Sequence, residues 1–158
     1  MPNHRHLQRL SRVWIPDAIY FVTACARNRR PIFACPKAAD ILRNEWESAK
    51  VRHGWLVGRY VIMPDHVHFF CAEMVEGAPH RLSRFIGGWK EWTAKAIGRE
   101  LSVSPPIWQE RFFDHLMRTE ESYAEKWAYV RDNPVRAGLS EKAADWPWQG
   151  HVDFDCPL

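Results

Sequence analysis

The chain has no long hydrophobic run. Its unbroken apolar stretches extend only a few residues, as at 60–63 and 69–72, whereas a membrane-spanning helix needs about 20. No apolar segment follows the polar, Arg-bearing start, which argues against a secretory leader and for a cytoplasmic protein with no membrane partner. Cysteine is sparse and scattered: Cys25, Cys35, Cys71 and Cys156 form no CxxC pair, so neither a zinc knuckle nor a disulfide framework is indicated. Internal repeats, low-complexity tracts and a dividing linker are also absent. The 158 residues therefore read as one domain, 1–158. A chain of that length buries about two thirds of its unfolded surface and needs no metal or disulfide to fold.

Two features stand out against this background. There are nine tryptophans, and 16 of the 22 basic residues are Arg, whose planar fork suits phosphate. The charge is uneven as well. Residues 1–52 carry ten basic against four acidic side chains, 53–136 balance at eleven each, and 137–158 hold one Lys against four acids. The net +3 thus combines a basic first third with an acidic end, a distribution that points toward a nucleic-acid partner.

Residues 19–26 alternate Tyr20, Val22 and Ala24 with Phe21, Thr23 and Cys25, which predicts a strand. From Pro36, apolar residues recur at helical spacing through Leu42, Trp46 and Ala49. Two further strand runs, 55–63 and 66–71, flank Pro64-Asp65 and predict an antiparallel hairpin. A second helix is expected over 81–100, with Leu82, Phe85, Trp89 and Ile97 inward and Arg81, Arg84, Lys95 and Arg99 outward. A fourth strand is expected over 107–117. A third helix should run from Thr119, a capping residue, to Asn133, where Pro134 disfavours helical geometry. Strand, helix, strand, strand, helix, strand, helix is an α+β order. It predicts a ferredoxin-like βαββαβ antiparallel sheet plus a C-terminal helix.

The segment 60–70, Tyr-Val-Ile-Met-Pro-Asp-His-Val-His-Phe-Phe, carries the chemistry. Residues i and i+2 of a strand face one way, so His66 and His68 present two imidazoles together. They suit a metal, and they suit equally two hydrogen-bonded core histidines beside Phe70. On the third helix Tyr123, Trp127 and Val130 form the apolar stripe. Tyr129 lies nearly opposite, with Lys126 and Asn133, and Asn133 one turn on can bring an amide oxygen beside the Tyr129 hydroxyl. An exposed tyrosine before a helix-ending Asn reads the same way. Joined, the two halves make an open site for a hard or borderline divalent ion beside a phenol that could act as nucleophile on a phosphodiester.

These motifs resemble the HUH single-tyrosine transposases, specifically the REP-associated tyrosine transposases. The likeness rests on Tyr60–His68, on Trp-Gln-Glu-Arg-Phe-Phe-Asp-His at 108–115, on Tyr-Val-Arg-Asp-Asn-Pro-Val-Arg-Ala-Gly-Leu at 129–139, and on Trp-Pro-Trp at 146–148. It implies the ferredoxin-like fold, Mg or Mn on His66 and His68 with Asn133 completing the coordination, and Tyr129 as the catalytic residue. It further implies cleavage and rejoining of single-stranded or hairpin DNA through a 5′-phosphotyrosine, with REP-like palindromes as the partner. Asp114 and His115 also match, and His115 is left out of the metal site. Pro16-Asp17 replaces a usual Pro-Gly and Gln149-Gly150 a usual pair of serines, departures that bear on DNA choice.

DNA contacts are expected from Arg5, Arg9 and Arg12 in a basic arm (1–18) and from Arg27, Arg29 and Arg30 after the first strand. The catalytic core is expected over 19–139, with 140–158 as an acidic tail. A monomer and a homodimer both fit. Two other functions share the motifs: an HxH metal-dependent phosphodiesterase using water, and a non-catalytic DNA-hairpin binding protein.

Overall fold

A computed structural model describes residues 18–74 and 82–155. The arm residues Arg5, Arg9 and Arg12, together with Arg81 and Cys156, lie outside the described residues.

Five strands form one antiparallel sheet: β1 (Ile19–Cys25), β2 (Trp55–Ile62), β3 (His66–Glu73), β4 (Phe113–Met117) and β5 (Gln149–His151), in the order β4-β1-β3-β2-β5. Three long helices join them, α1 (Pro36–Glu47), α2 (Leu82–Leu101) and α3 (Glu120–Arg131). β3 lies between β1 and β2, and β1 lies between β3 and β4, so the two βαβ units interlock as in a split βαβ sheet. The hairpin closes at Pro64-Asp65, where the Met63 N–H donates to the His66 carbonyl at 2.8 Å.

Period-2 alternation sends the strands' apolar residues to opposite faces. On one face Val22, Ala24, Tyr60, Ile62, Val67 and Phe69 meet α1 and α2. Much of the tryptophan content is spent there. Trp46 stacks on Trp89 at 5.6 Å, Trp89 meets Trp108 at 4.8 Å, and Trp108 stacks on Phe33 at 4.4 Å. The Trp108 indole N–H donates to Thr93 Oγ1 at 2.9 Å, which satisfies the polar end of a buried ring. On the other face Phe21, Val61 and Phe70 meet Tyr123, Trp127 and Val130 of α3. That stripe leaves Tyr129 pointing away, with 63% of its surface exposed.

Two sequence expectations need correction. The fourth strand is short, because the Lys90 ammonium collects the carbonyls of Gln109 (2.8 Å), Arg111 (3.0 Å) and Glu110 (3.4 Å) and holds that stretch toward α2. Only Trp108 keeps a bridge to Ala26 before β4 begins. The third helix stops at Arg131 rather than Asn133. Proline has no N–H for an interior turn but fits a first turn, so the chain breaks at Asp132 and restarts as a single turn, Asn133–Arg136. The acidic end of the chain is built into the fold over its described part. Residues 149–151 pair with β2, and Trp146 and Phe154 are buried.

Candidate active site

His66 and His68 stand on the central strand β3, on the face that α3 covers, because they share alternation with Phe70 of the α3-facing core. Their rings lie 4.8 Å apart and nearly perpendicular. Each has one nitrogen tied down. His66 Nδ1 is 2.7 Å from Asp65 Oδ1, and His68 Nδ1 is 2.8 Å from Thr23 Oγ1, the residue directly across the β1–β3 register. A carboxylate only accepts, so the proton of neutral His66 sits on Nδ1 and its Nε2 holds a lone pair. The His68 ring also stacks on Phe21 at 5.2 Å. Two imidazoles are thus oriented by partners on their far nitrogens, the usual arrangement around a metal ligand.

Electrostatics keep both rings neutral. Burial, with help from the charges of His66, Lys126, Arg136 and Arg29, lowers the His68 pKa to about 3. Burial also lowers that of His66, against the opposing pull of Asp65. The Asp65 carboxyl, although partly buried, is held below its ordinary range by His66 and Arg29. A neutral imidazole is the ligand form, and the donor set of His66 and His68 could hold a divalent cation. Among the described residues no group of three or more His, Cys, Asp or Glu side chains assembles around a single point. Further ligands would have to be amide, water or phosphate oxygen.

The same shifts have a stability consequence in metal-free protein. His53, His66 and His68 all have folded pKa values below the ordinary 6.5, with burial the leading cause each time. The unfolded chain then takes up protons first, so the stability of the neutral rings is complete above about pH 6.5 and drains as pH falls, for His68 toward about 3. Each group contributes a slope of up to about 1.36 kcal/mol per pH unit. Thermal melts of metal-free protein should therefore fall from pH 7.5 to pH 5, with a shallower fall for His68→Asn.

Arg29 is tied to this site. Its Nε donates to Asp65 Oδ2 at 2.9 Å and its Nη1 to Cys25 Sγ at 2.9 Å, while Asn28 and Arg29 both adopt left-handed backbone (φ 57° and 54°). Two consecutive non-glycine residues in that region are strained and persist only where their surroundings hold them. Arg30 donates to the Ser104 carbonyl at 3.0 Å and to that of Pro106, whereas Arg27 is exposed. Of the three arginines after β1, Arg29 and Arg30 thus spend donors within the chain.

Tyr129 lies under the Arg136 guanidinium, 3.9 Å from the ring centre. Arg136 Nη2 also donates to Asn133 Oδ1. Asn133, expected to bring its amide oxygen beside the Tyr129 hydroxyl, gives that oxygen to Arg136 on the turn that restarts after Asp132. Sequence reading passed over Asp65, Thr23 and Arg136. The first was legible as a carboxylate adjoining a ligand-type histidine. Thr23 needed the strand register, and Arg136 needed the restart at Asn133.

No family model matches the chain. Among curated proteins it is 43% identical over 156 residues to a putative REP-associated tyrosine transposase of Haemophilus influenzae (strain ATCC 51907 / DSM 11121 / KW20 / Rd), covering 93% of this chain and 88% of that one. It is 28% identical over 137 residues to the REP-associated tyrosine transposase of Escherichia coli (strain K12), covering 87% and 78%. Among solved structures it superposes on a REP-associated tyrosine transposase bound to a REP hairpin with a TM-score of 0.66, at 26% identity and over 87% of this chain and 79% of that one. A putative transposase from Deinococcus radiodurans R1 shares the fold at a TM-score of 0.56 and 16% identity, over 75% and 92%.

Sheet, histidine pair and relatives together define a DNA transposase. The chain belongs to the family of REP-associated tyrosine transposases.

Proposed function

We propose that this protein cleaves and rejoins single-stranded DNA next to REP-type hairpins, with Tyr129 as nucleophile and a divalent ion, Mg or Mn, on His66 and His68. One observation carries the reading. Lys126 Nζ lies 5.3 Å over the Phe21 ring that stacks on His68, and Arg136 lies 3.9 Å over the Tyr129 ring; both charges add to the lowering of the His68 pKa. The tyrosine-bearing face of the helix and the imidazole pair thus belong to one electrostatic neighbourhood. A relative solved with a REP hairpin supports the choice of DNA.

The residues have separable tasks. Asp65 accepts from His66 Nδ1 and leaves Nε2 as a lone pair, and Thr23 orients the His68 ring through its Nδ1. The bound ion supplies Lewis acidity, polarising the scissile phosphate and stabilising charge on the leaving 3′ oxygen. Tyr129 Oη gives up its proton and forms a bond to phosphorus; the P–O3′ bond breaks, and the 3′ oxygen takes a proton. The strand ends carry a 5′-phosphotyrosine and a free 3′ hydroxyl. Attack by another 3′ hydroxyl reverses the step and joins strands with no external energy source. Asn133 would add an amide oxygen to the two imidazoles as a holder of the ion, provided Arg136 releases that oxygen. An arriving phosphate favours that release, because a guanidinium can pair with it bidentately, which a single amide oxygen does not match.

The test is to incubate the protein with an oligonucleotide holding a palindromic hairpin and single-stranded flanks, with Mg or Mn. A covalent complex should run on a denaturing gel, disappear in EDTA, and map to the Tyr129 peptide by mass spectrometry. Metal-dependent cleavage with no protein attached would establish a water-using phosphodiesterase instead. Hairpin binding with no cleavage in any metal would leave only a binding protein. A second expectation concerns Asp65, the carboxylate on His66 Nδ1: Asp65→Ala should weaken Mn binding about 10–100-fold, measured by electron paramagnetic resonance titration. Asp65→Asn should recover part of the loss.

A further inference from the structure

A cavity of about 290 Å³ opens directly beside Tyr129, between α3 and the edge strand β4. His115 and Met117 line it on the β4 side; Ser122, Glu125, Lys126 and Tyr129 line it from α3. Phosphodiester chemistry at Tyr129 uses none of the first five. His115, moreover, belongs to the Trp108–His115 motif, for which the metal site has no use. We propose that this cavity is a nucleobase subsite, which takes the base of a nucleotide bonded to the phosphate that Tyr129 attacks.

Position comes first. Tyr129 is itself a wall of the cavity, so a nucleotide whose phosphate lies at its hydroxyl has the cavity alongside. The lining chemistry then separates a base from a phosphate. Lys126 is an ammonium donor and would suit either. Glu125 is a carboxylate, which repels a phosphate but accepts from an exocyclic amino group, as carboxylates do from cytosine N4. Ser122 Oγ accepts from the Thr119 hydroxyl at 2.8 Å, which leaves its own proton free to donate. Met117 supplies an apolar surface for a π-face. The backbone phosphate has its own cation in Arg136, 3.9 Å over the Tyr129 ring. Cation over the nucleophile and mixed donors and acceptors beside it make a division of labour. Arg136 meets the phosphate, and the cavity reads the base.

A carboxylate acceptor selects bases that carry an amino group (adenine, cytosine or guanine) over thymine. The subsite thus gives this single small domain a way to choose its cleavage point independently of the hairpin it binds.

The inference rests on Tyr129 as the nucleophile, and the experiment keeps the two apart. Hairpin oligonucleotides carrying each of the four bases, or an abasic sugar, at the nucleotides on either side of the cleavage point are compared for the rate of adduct formation. Wild type should prefer an amino-bearing base to thymine by roughly tenfold at one of these positions, in the range of one good side-chain–base pair, and lose at least as much with the abasic sugar. Glu125→Gln should compress that preference to about twofold, and His115→Ala should change it, with hairpin affinity preserved in both. An unchanged preference in both variants overturns the subsite. The second readout needs no chemistry: 2-aminopurine at the selected position should change its emission on binding, and Glu125→Ala should abolish the change. Adducts that form without any emission change overturn the subsite and leave Tyr129 standing. An emission change lost in Glu125→Ala, with no adduct on any substrate, supports the subsite and overturns the covalent reading.

Discussion

Tyr129→Phe is expected to abolish the protein–DNA adduct, lowering its yield by about 10³-fold or more, while hairpin affinity stays within about twofold of wild type. The variant is clean for a structural reason. Tyr129 has 63% of its surface exposed and belongs to neither hydrophobic core, so loss of its hydroxyl leaves no cavity and no buried partner. Its ring face carries Arg136, and phenylalanine offers guanidinium the same face. The Arg136–Asn133 hydrogen bond has no need of the phenol and survives as well. Only the oxygen proposed as the nucleophile is removed. Gel-shift titration with a hairpin oligonucleotide, run beside a denaturing gel for the adduct, checks both halves of the expectation. An adduct that persists in Tyr129→Phe sinks the assignment.

The same variant separates a self-contained site from a shared one. Lys126 lies 5.3 Å over the Phe21 ring that stacks on His68 in the same chain, and on that geometry we propose that a chain's own tyrosine serves its own histidine pair. A mixture of His68→Ala and Tyr129→Phe chains should then form no adduct. Restored adduct would mean that one chain's helix completes another's site.

How far the sequence carried these conclusions depends on the range of each interaction. Period-2 alternation is local, so the orientation of His66 and His68 with Phe70 was legible, as was the Pro64-Asp65 turn between β2 and β3. Helical periodicity is local too, and it separated Tyr129 from the buried Tyr123, Trp127 and Val130. Contacts made across the fold were not legible. Arg29 reads as one of several phosphate-binding arginines after a strand, yet its ion pair with Asp65 spans 36 positions and needs the β1–β3 register to exist. Lys90 reads as one more charge on a helix, yet it decides where β4 starts by collecting carbonyls about 20 positions away. The packing of residues 140–155 was the least legible. Four acids against one Lys in residues 137–158 read only as an acidic tail when the charge is counted without partners. In the fold, Asp155 pairs with Arg59, with Nη2 to Oδ2 at 2.8 Å, and Asp153 accepts the Val57 N–H at 2.9 Å and faces Lys50 at 3.4 Å.

That packing leads to the second large effect. Phe154→Ala is expected to destabilise the protein by about 3–5 kcal/mol, against a total near 5–15 kcal/mol for a domain. A solvated tail would tolerate the change without measurable loss. The expectation comes from packing. Phe154 is 2% exposed and lies against the backbone of Gly58, at the irregularity in β2, where an added Cβ would come within 2.4 Å of the ring. Only glycine lets the ring settle there, so Gly58→Ala should cost a comparable amount by displacing Phe154. Trp146 closes the same end: it is buried, and its indole N–H donates to the Ile62 carbonyl at 3.0 Å. The ion pairs weigh less, because Arg59 and Asp155 keep 28% and 31% of their side-chain surface exposed, and Asp155→Asn should change stability by at most about 1 kcal/mol. Urea denaturation of the three variants would check this order. A small loss for Phe154→Ala with a large one for Asp155→Asn would reverse it, leaving charge rather than the aromatic ring to hold β5 against β2. The order matters for the active site, since the core that receives Phe154 also holds Phe21 and Phe70, the former stacked on His68 and the latter following it on β3. Loosening the chain's far end should therefore reach the imidazole pair, and Phe154→Ala should weaken Mn binding although no atom of Phe154 touches the site.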